Sequence, residues 1–248
     1  MRQIAGWPIA PHICLMPDTL MLIFILVPCL VIAIVVHEVA HGWVANMLGD
    51  PTARERRRLT LNPIRHVDAV GTLVVPGLLA LAKGPIFGWA KPVPVVKERL
   101  RNPRWGMVAV AAAGPGVNFV MALLSAVFLG VMLRVLTAGA GEPGNGEWLG
   151  ALATGLETFI LINIFIALFN LLPIPPFDGS HIVEGVLPRR ASRAYARLRP
   201  FGMVLFFGLI ALTWFAPQLG VVENVILPPV IAAQQWFQGI AYGIGGLS

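Results

Sequence analysis

Residues 25–48 read ILVPCLVIAIVVHEVAHGWVANML, an apolar run with two histidines and a glutamate near its centre. The run begins at about Leu20, and its roughly 29 residues would form a helix of about 43 Å, longer than the ~30 Å hydrocarbon core of a bilayer requires. Ionisable side chains are costly at that depth and usually mark functional sites. His37, Glu38 and His41 therefore predict a membrane helix that carries chemistry.

The overall composition is that of a membrane protein. Of the 248 residues, 57% are hydrophobic and 12% are charged, whereas soluble domains contain roughly 25% charged residues. The net charge of +6 arises from arginines that cluster beside apolar runs, which is typical of cytosolic loops rather than of a nucleic-acid surface. We therefore expect the lipid bilayer as a partner and no nucleic acid, and the sequence leaves the oligomeric state open.

The other apolar runs define the predicted fold. Runs at 105–136 and 149–172 predict two more membrane helices, and a short run at 201–216 and an interrupted run at 221–244 predict up to two further ones. Residues 70–94 are interrupted by glycines and prolines and cannot span as one helix, so they predict a membrane-associated β-like hairpin. The predicted fold class is an all-α polytopic membrane protein with about four to six transmembrane helices and this hairpin between the first two core helices.

The distribution of charge predicts the orientation of the chain. Each arginine-rich loop is expected on the cytosolic face, and the acidic loop at 137–147 on the other. The first helix then runs inward, with its histidines roughly 12–18 Å from its cytosolic end. The predicted division is an N-terminal segment at 1–19, a membrane-embedded core at 20–188 and C-terminal membrane helices at 189–248.

The spacing of the ionisable residues predicts a metal site. His37 and His41 are four residues apart, so on a helix both imidazoles lie on one face and can bind the same cation. Glu38 is offset beside them, where a carboxylate can take a proton from water bound to that cation. His-Glu-x-x-His on a helix is typical of zinc peptidases. The alternative is a set of polar residues hydrogen-bonded inside a helix bundle.

A catalytic zinc site needs a third protein ligand and one open position. Asp178 is the best candidate, because the stretch NLLPIPPFDG, residues 170–179, breaks a spanning helix and its final glycine lets the chain approach closely. Asp178 could instead cap the short helix that follows. The remaining candidates for a third ligand are His66, Asp68, His181 and Glu184. Of these, His66 and His181 are expected at the membrane interface rather than at the metal, because His66 lies in an arginine-rich loop and His181 lies one turn beyond Asp178.

These motifs follow the order of a known family. His37-Glu38-x-x-His41, then Gly114-Pro115-Gly116-Val117-Asn118, then NLLPIPPFDG resemble the site-2 protease family of intramembrane zinc metalloproteases. The resemblance covers about residues 20–188, and it is to compact bacterial members, because the segment between Asn118 and Asn170 has no room for a PDZ domain. It implies one Zn²⁺ per chain, held by His37, His41 and Asp178, with Glu38 as general base and acid.

Three features are candidates for contacts with a substrate. The amide of Asn118 could bind the substrate backbone or an oxyanion, or it could tie helices together. Asn170, which opens the third motif, is a candidate for the same role. The end of the hairpin, at about 88–95, could offer a strand edge to an unwound substrate, although its alternating prolines could equally blunt a bare edge.

The predicted function is that of an intramembrane zinc metalloprotease, which hydrolyses peptide bonds in or near transmembrane segments of membrane proteins while Glu38 activates a zinc-bound water. The resemblance implies a transmembrane protein as substrate and the bacterial inner membrane as location, with the active site nearer the cytosol. The alternative is a membrane metal transporter or metal-binding protein that uses the same residues. Transporters commonly show paired repeats, and the sequence contains no evident internal repeat.

Overall fold

A computed structural model describes residues 18–75, 78, 81, 89–138 and 146–247. The predicted N-terminal segment, 1–19, lies outside this part of the chain except for its last two residues, which begin the first helix. The predicted division of the chain into three parts stays a prediction.

Eight α-helices organise the described residues. Between them, short 3-10 and π turns connect the longer elements. The helices are α1 Asp18–Met47, α2 Thr52–Glu55, α3 Pro103–Ala138, α4 Gly146–Asn170, α5 Asp178–Val186, α6 Arg189–Ala196, α7 Gly202–Phe215 and α8 Leu227–Gly245.

Four helical segments of the described chain are long and apolar enough to cross a membrane. They are Ile23–Met47, Pro103–Leu136, Trp148–Asn170 and Arg189–Thr213. The all-helical fold class is thereby confirmed for the described residues, with a number of spans at the lower end of the predicted range. Helix α8, which corresponds to the run predicted at 221–244, does not belong to this set.

Helix α3 lies at the centre of the bundle and packs against α1, α4, α5 and α8. Its alanines allow close approach of neighbouring helices, the arrangement that favours helix association in a bilayer. The buried cluster that joins three of these helices contains Ala122, Ala126 and Leu129 from α3, Ile160 and Ile164 from α4, and Val230, Phe237 and Ala241 from α8. This packing fixes α3 against α4, and both helices contribute to the site described below.

The predicted β-like hairpin at 70–94 is wrong in its first part. Ala69–Val74 forms a π-helical turn, because the Asp68 carboxylate caps it by accepting hydrogen bonds from the N–H groups of Val70 and Gly71 at 3.0 and 2.7 Å. Residues 76–77, 79–80 and 82–88 lie outside the described chain. Residues 89–96 form neither helix nor strand, although the backbone of Val96 at their end is extended, and no described residue belongs to a β-strand. The hairpin is therefore not confirmed.

The segment 89–96 is bound to the rest of the protein by its own backbone. Lys91 N–H donates to the His66 carbonyl at 2.8 Å, and the Lys91 carbonyl accepts from the Arg58 guanidinium at 2.6 Å. Further along, Val96 N–H donates to the Asp50 carboxylate at 2.6 Å. Single prolines remove N–H groups that a sheet would use, so side chains and loop carbonyls take the place of a partner strand.

Asp50 is the anchor of this segment, and its removal should destabilise the fold. Its fully buried carboxylate accepts hydrogen bonds from the N–H and hydroxyl of Thr52 and from Val96 N–H. In Asp50→Ala these donors lose their partner, which should lower the free energy of unfolding by about 1–3 kcal/mol. Glu55→Ala, which breaks the exposed ion pair with Arg99, is the control and should change it by less than about 1 kcal/mol. Thermal unfolding of the purified variants compares the two losses, and equal losses would contradict the anchoring role.

The same anchor should respond to pH. Burial alone would raise the pKa of Asp50, but hydrogen bonds from Thr52 and Val96 and the nearby charge of Arg99 lower it below its ordinary value. The stabilisation is therefore present above the ordinary carboxyl pKa and is lost as the pH falls through the lowered value. Unfolding followed across the acid range should show this loss in the wild type and a smaller one in Asp50→Ala.

Candidate metal centre

Three side chains from two helices converge on one point. Asp178 Oδ2 lies 3.2 Å from the Nε2 atoms of both His37 and His41. The candidate ligand atoms of these three residues all lie within 4.8 Å of one another. Both histidines are buried and Asp178 is largely so. The structure thus brings together the three residues that the sequence analysis selected as metal ligands.

The chain folds back locally to place Asp178. Helix α4 ends at Asn170, and a turn through Pro173, Pro175 and Pro176 leads into α5, whose first residue is Asp178. Gly179 packs directly on the end of α4, where a Cβ atom would clash with the backbone of Leu171 and lie 2.5 Å from the Leu172 carbonyl oxygen. A side chain at this position would push Asp178 away from the histidines.

A chain of amides fixes the tautomer of His37. The Phe159 carbonyl can only accept, so Asn163 Nδ2 donates to it at 2.8 Å and Asn163 Oδ1 faces the opposite way. Asn118 Nδ2 donates to that oxygen at 2.8 Å, which leaves Asn118 Oδ1 to accept from His37 Nδ1 at 2.6 Å. His37 therefore carries a proton on Nδ1, and its Nε2 presents a lone pair when the ring is neutral.

His41 is oriented in the same way by a backbone carbonyl. Its Nδ1 donates to the Val110 carbonyl of α3 at 2.7 Å, so its Nε2 also presents a lone pair when the ring is neutral. The third member, Asp178, is a carboxylic acid with an ordinary pKa of about 4, so at neutral pH it supplies an anionic oxygen. Two lone pairs and one carboxylate oxygen that face each other repel unless a proton or a metal cation lies between them.

The dimensions of the group fit zinc. Two ligand atoms about 2.0–2.1 Å from a tetrahedral zinc ion lie ~3.3 Å apart, and the two His–Asp distances are both 3.2 Å. Gly114 of α3 closes the space, because a Cβ there would lie 2.5 Å from the Nε2 atoms of both His37 and His41. A residue with no side chain is therefore needed where the cation would be held.

One face of α3 organises the whole centre. Val110, Gly114 and Asn118 are spaced four residues apart, so they lie along a single stripe of the helix. Val110 orients His41, Gly114 leaves room between the rings, and Asn118 orients His37. The motif at 114–118 thus contributes through both its glycine and its asparagine.

Glu38 lies beside the three converging residues and is held by the segment 89–96. Its Oε2 accepts a hydrogen bond from Val93 N–H at 2.8 Å. No other described residue hydrogen-bonds to this carboxylate, so Oε1 is available to exchange a proton. Gly42, one turn further along α1, makes room for this contact, because a Cβ there would lie 2.8 Å from a Val93 methyl group.

The remaining candidates are placed elsewhere. The Asn170 amide donates to the carbonyl of Ile166 in its own helix at 3.0 Å, so the structure does not bring it to the metal ligands. His66 is buried in the loop after α2, with Nε2 on the Thr60 carbonyl at 2.9 Å. His181 is one turn beyond Asp178, with Nδ1 3.5 Å from the Arg199 guanidinium. Among the described residues, the converging group contains only His37, His41 and Asp178.

Two contributors were missed by the sequence analysis. Asn163 is fully buried and supports Asn118. The sequence did contain a signal for it, because Asn163 is a lone amide inside the apolar run ILINIFIAL, residues 160–168, and polar groups at that depth need partners. The N–H of Val93 holds Glu38. It had no signal in the sequence, because backbone donors are the same at every residue except proline.

Comparison with known proteins gives consistent matches. A family model described as Peptidase family M50 matches residues 148–213. The chain is 40% identical to "Putative zinc metalloprotease YwhC" of Bacillus subtilis over 192 residues, which are 74% of this chain and 80% of that protein. It is 29% identical to "Putative zinc metalloprotease Rip2" of Mycolicibacterium smegmatis over 175 residues, 70% of this chain and 61% of that protein. No solved structure matches the chain.

Filling the space at Gly114 should expel the metal without unfolding the helix. In Gly114→Ala the added methyl group would occupy the position between the two Nε2 atoms, so zinc content of the purified protein should fall severalfold or more. Gly116→Ala is the matched control, because a Cβ at Gly116 meets no atom within 4 Å. Metal analysis of both variants checks this, and full zinc occupancy in Gly114→Ala would show that the ion is held elsewhere.

Replacing Asn118 distinguishes its two possible roles, which are orientation of His37 and binding of an oxyanion. If Asn118 orients His37, Asn118→Ala should weaken zinc binding by about 10–100-fold. If it instead binds an oxyanion, zinc affinity should be unchanged while kcat falls. Asn170→Ala, whose amide contacts only its own helix, is the control and should retain wild-type zinc affinity. Zinc titration with a competing chelator measures all three proteins.

Proposed function

This chain belongs to peptidase family M50, the site-2 protease family, as a zinc metallopeptidase of the membrane, and we propose that it hydrolyses peptide bonds in or near the transmembrane segments of other membrane proteins. The observation that carries the proposal is the position of the converging group. His37 and His41 lie within the apolar span Ile23–Met47, and Asp178 reaches them from α5. A peptidase with its ligands on a membrane helix is suited to substrates that present their backbone within the bilayer.

The residues of this chain divide the work of hydrolysis. One zinc ion per chain, held by His37, His41 and Asp178, would activate water and polarise the scissile carbonyl. Glu38 acts first as base, taking a proton from the attacking water, and then as acid, giving that proton to the leaving nitrogen. Val93 N–H holds one oxygen of the Glu38 carboxylate, so the other remains oriented for both transfers.

The hydrogen bonds of the segment 89–96 limit how it could receive a substrate. The N–H groups of Lys91, Val93 and Val96 already donate within the protein, and Pro92 and Pro94 have none. Between residues 91 and 96, the groups that remain for pairing with a substrate are the Val95 N–H and the carbonyls of residues 93–95. We therefore assign this segment first to the orientation of Glu38, and pairing with an unwound substrate would rely mainly on its carbonyl oxygens.

The location of the site follows from charge and helix length. Met47 ends α1, six residues after His41, which corresponds to about 9 Å along the helix. Arg54, Arg56 and Arg57 follow closely, and positive loops favour the cytosolic side. We propose that the protein lies in the bacterial inner membrane with the site nearer the cytosol, where water can reach it.

Glu38→Gln tests the proposed chemistry while keeping the local structure. The Gln amide oxygen can still accept from Val93 N–H, and the metal ligands are unchanged, so zinc content should remain that of the wild type. Cleavage of a helical membrane substrate by the purified enzyme should fall by about 10²–10⁴-fold, because the proton acceptor is lost.

Two outcomes would contradict this account of the reaction. Cleavage at the wild-type rate by Glu38→Gln would show that another group is the base. Transport of zinc into liposomes by the wild-type protein, with no cleavage of any helical substrate, would identify a metal transporter instead.

A further inference from the structure

A strongly basic cavity lies beside α5, separate from the three converging side chains of the candidate metal centre. Its volume is about 560 Å³, and it lies where the first turns of α3 and α6 meet α5. Five cations and one carboxylate line it, together with His181: Lys97, Arg104, Arg189, Arg193, Arg199 and Glu184. The zinc ligands His37, His41 and Asp178 do not line it.

Some of this positive charge is already engaged. Glu184 pairs with Lys97 at 3.4 Å and with Arg199. The Arg104 guanidinium donates to the carbonyls of Gly185 and Leu187 at the end of α5. These contacts hold the walls of the cavity together, and they leave an excess of positive charge that Glu184 alone does not neutralise.

Arg189 and Arg193 are the two cations of the cavity that take part in none of these contacts. Within the described chain, the Arg189 guanidinium makes no hydrogen bond or ion pair, and Arg193 bonds only to the Arg189 carbonyl, at 3.4 Å. Four residues apart on α6, they lie on one helix face and both line the cavity. Two like charges at this spacing repel, so the pair is stabilised when an anion binds between them.

His181 adds a further N–H donor to those of the arginines. Its Nδ1 lies 3.5 Å from the Arg199 guanidinium, which can only donate. Burial first, and then the charge of Arg199, lower the pKa of this imidazole, which favours the neutral ring with its proton on Nε2. Apart from the Glu184 carboxylate, which is already paired with Lys97 and Arg199, the charged and imidazole groups of the cavity offer N–H donors.

We propose that this cavity binds a phosphate group. A phosphate carries up to two negative charges and several acceptor oxygens, and guanidinium groups recognise it through paired hydrogen bonds. A carboxylate, with one charge and two oxygens, would leave most of these donors unused. The volume exceeds that of one phosphate, so the rest of the ligand also has room.

The position of the cavity restricts the source of the phosphate to two. Arg104 and Arg189 stand at the start of the apolar segments Pro103–Leu136 and Arg189–Thr213, which places the cavity at the level of a membrane surface. A lipid headgroup and a soluble phosphate compound can both reach that level. The proposal is independent of the peptidase reaction, because it concerns binding by residues that take no part in the metal centre.

The test uses the full-length protein with two probes. In one arm, inorganic pyrophosphate is titrated by calorimetry into protein held in phosphatidylcholine nanodiscs. In the other, native mass spectrometry measures retention of phosphatidylglycerol over phosphatidylcholine. The test variant is R189Q/R193Q, and the matched control is R190Q/R197Q, which removes the same charge from arginines of the same region that do not line the cavity.

We expect the wild type and R190Q/R197Q to bind at least one probe, and R189Q/R193Q to bind it at least about tenfold more weakly. All four arginines are exposed, so the variants should keep their fold and their zinc content. Binding of pyrophosphate alone identifies a soluble phosphate compound as the source, and retention of phosphatidylglycerol alone identifies a lipid headgroup. Binding of neither probe by the wild type, or equal loss in both double variants, would overturn the proposal.

Discussion

Mutual repulsion among three electron-rich atoms is the constraint on which the centre of this protein depends. The Nδ1 protons of His37 and His41 are committed to Asn118 and to the Val110 carbonyl, so both Nε2 lone pairs face the carboxylate of Asp178. Such an arrangement is unfavourable in a poorly solvated interior unless a proton or a metal cation occupies it. With zinc in place the same atoms would act as ligands, and the cost of the polar groups in the membrane would be offset.

The bundle is arranged so that α3 can satisfy this constraint. Asn118 is held by Asn163 of α4, and the packing of α3 on α4 through Ala122, Ala126 and Ile160 keeps the two amides in register. The pairing of buried amides fixes which atom accepts and which donates, and it thereby fixes the histidine tautomer. A substitution that shifts the packing of α3 on α4 should therefore also change the orientation of His37, through Asn163 and Asn118.

The sequence predicted the parts of the fold that depend on local pattern, and it missed those that depend on tertiary contacts. The membrane helices and the pair His37 and His41 follow from apolar length and helical spacing. Asp178 was found because proline breaks and a glycine are visible in sequence. The helical turn at Ala69–Val74 was missed because the cap from Asp68 outweighed the β-branched pattern. The contact between Val93 N–H and Glu38 was invisible, because it joins a backbone group to a side chain 55 residues away.

The central claim is that two imidazoles and one carboxylate hold a single zinc ion. X-ray absorption at the zinc edge, on purified protein loaded with one equivalent of zinc, tests it most directly. The account predicts two imidazole nitrogens and oxygen ligands at about 2.0–2.2 Å, with one imidazole lost in His37→Ala and zinc binding weakened in Asp178→Ala. A spectrum with sulfur ligands, or with a single imidazole in the wild type, would contradict it.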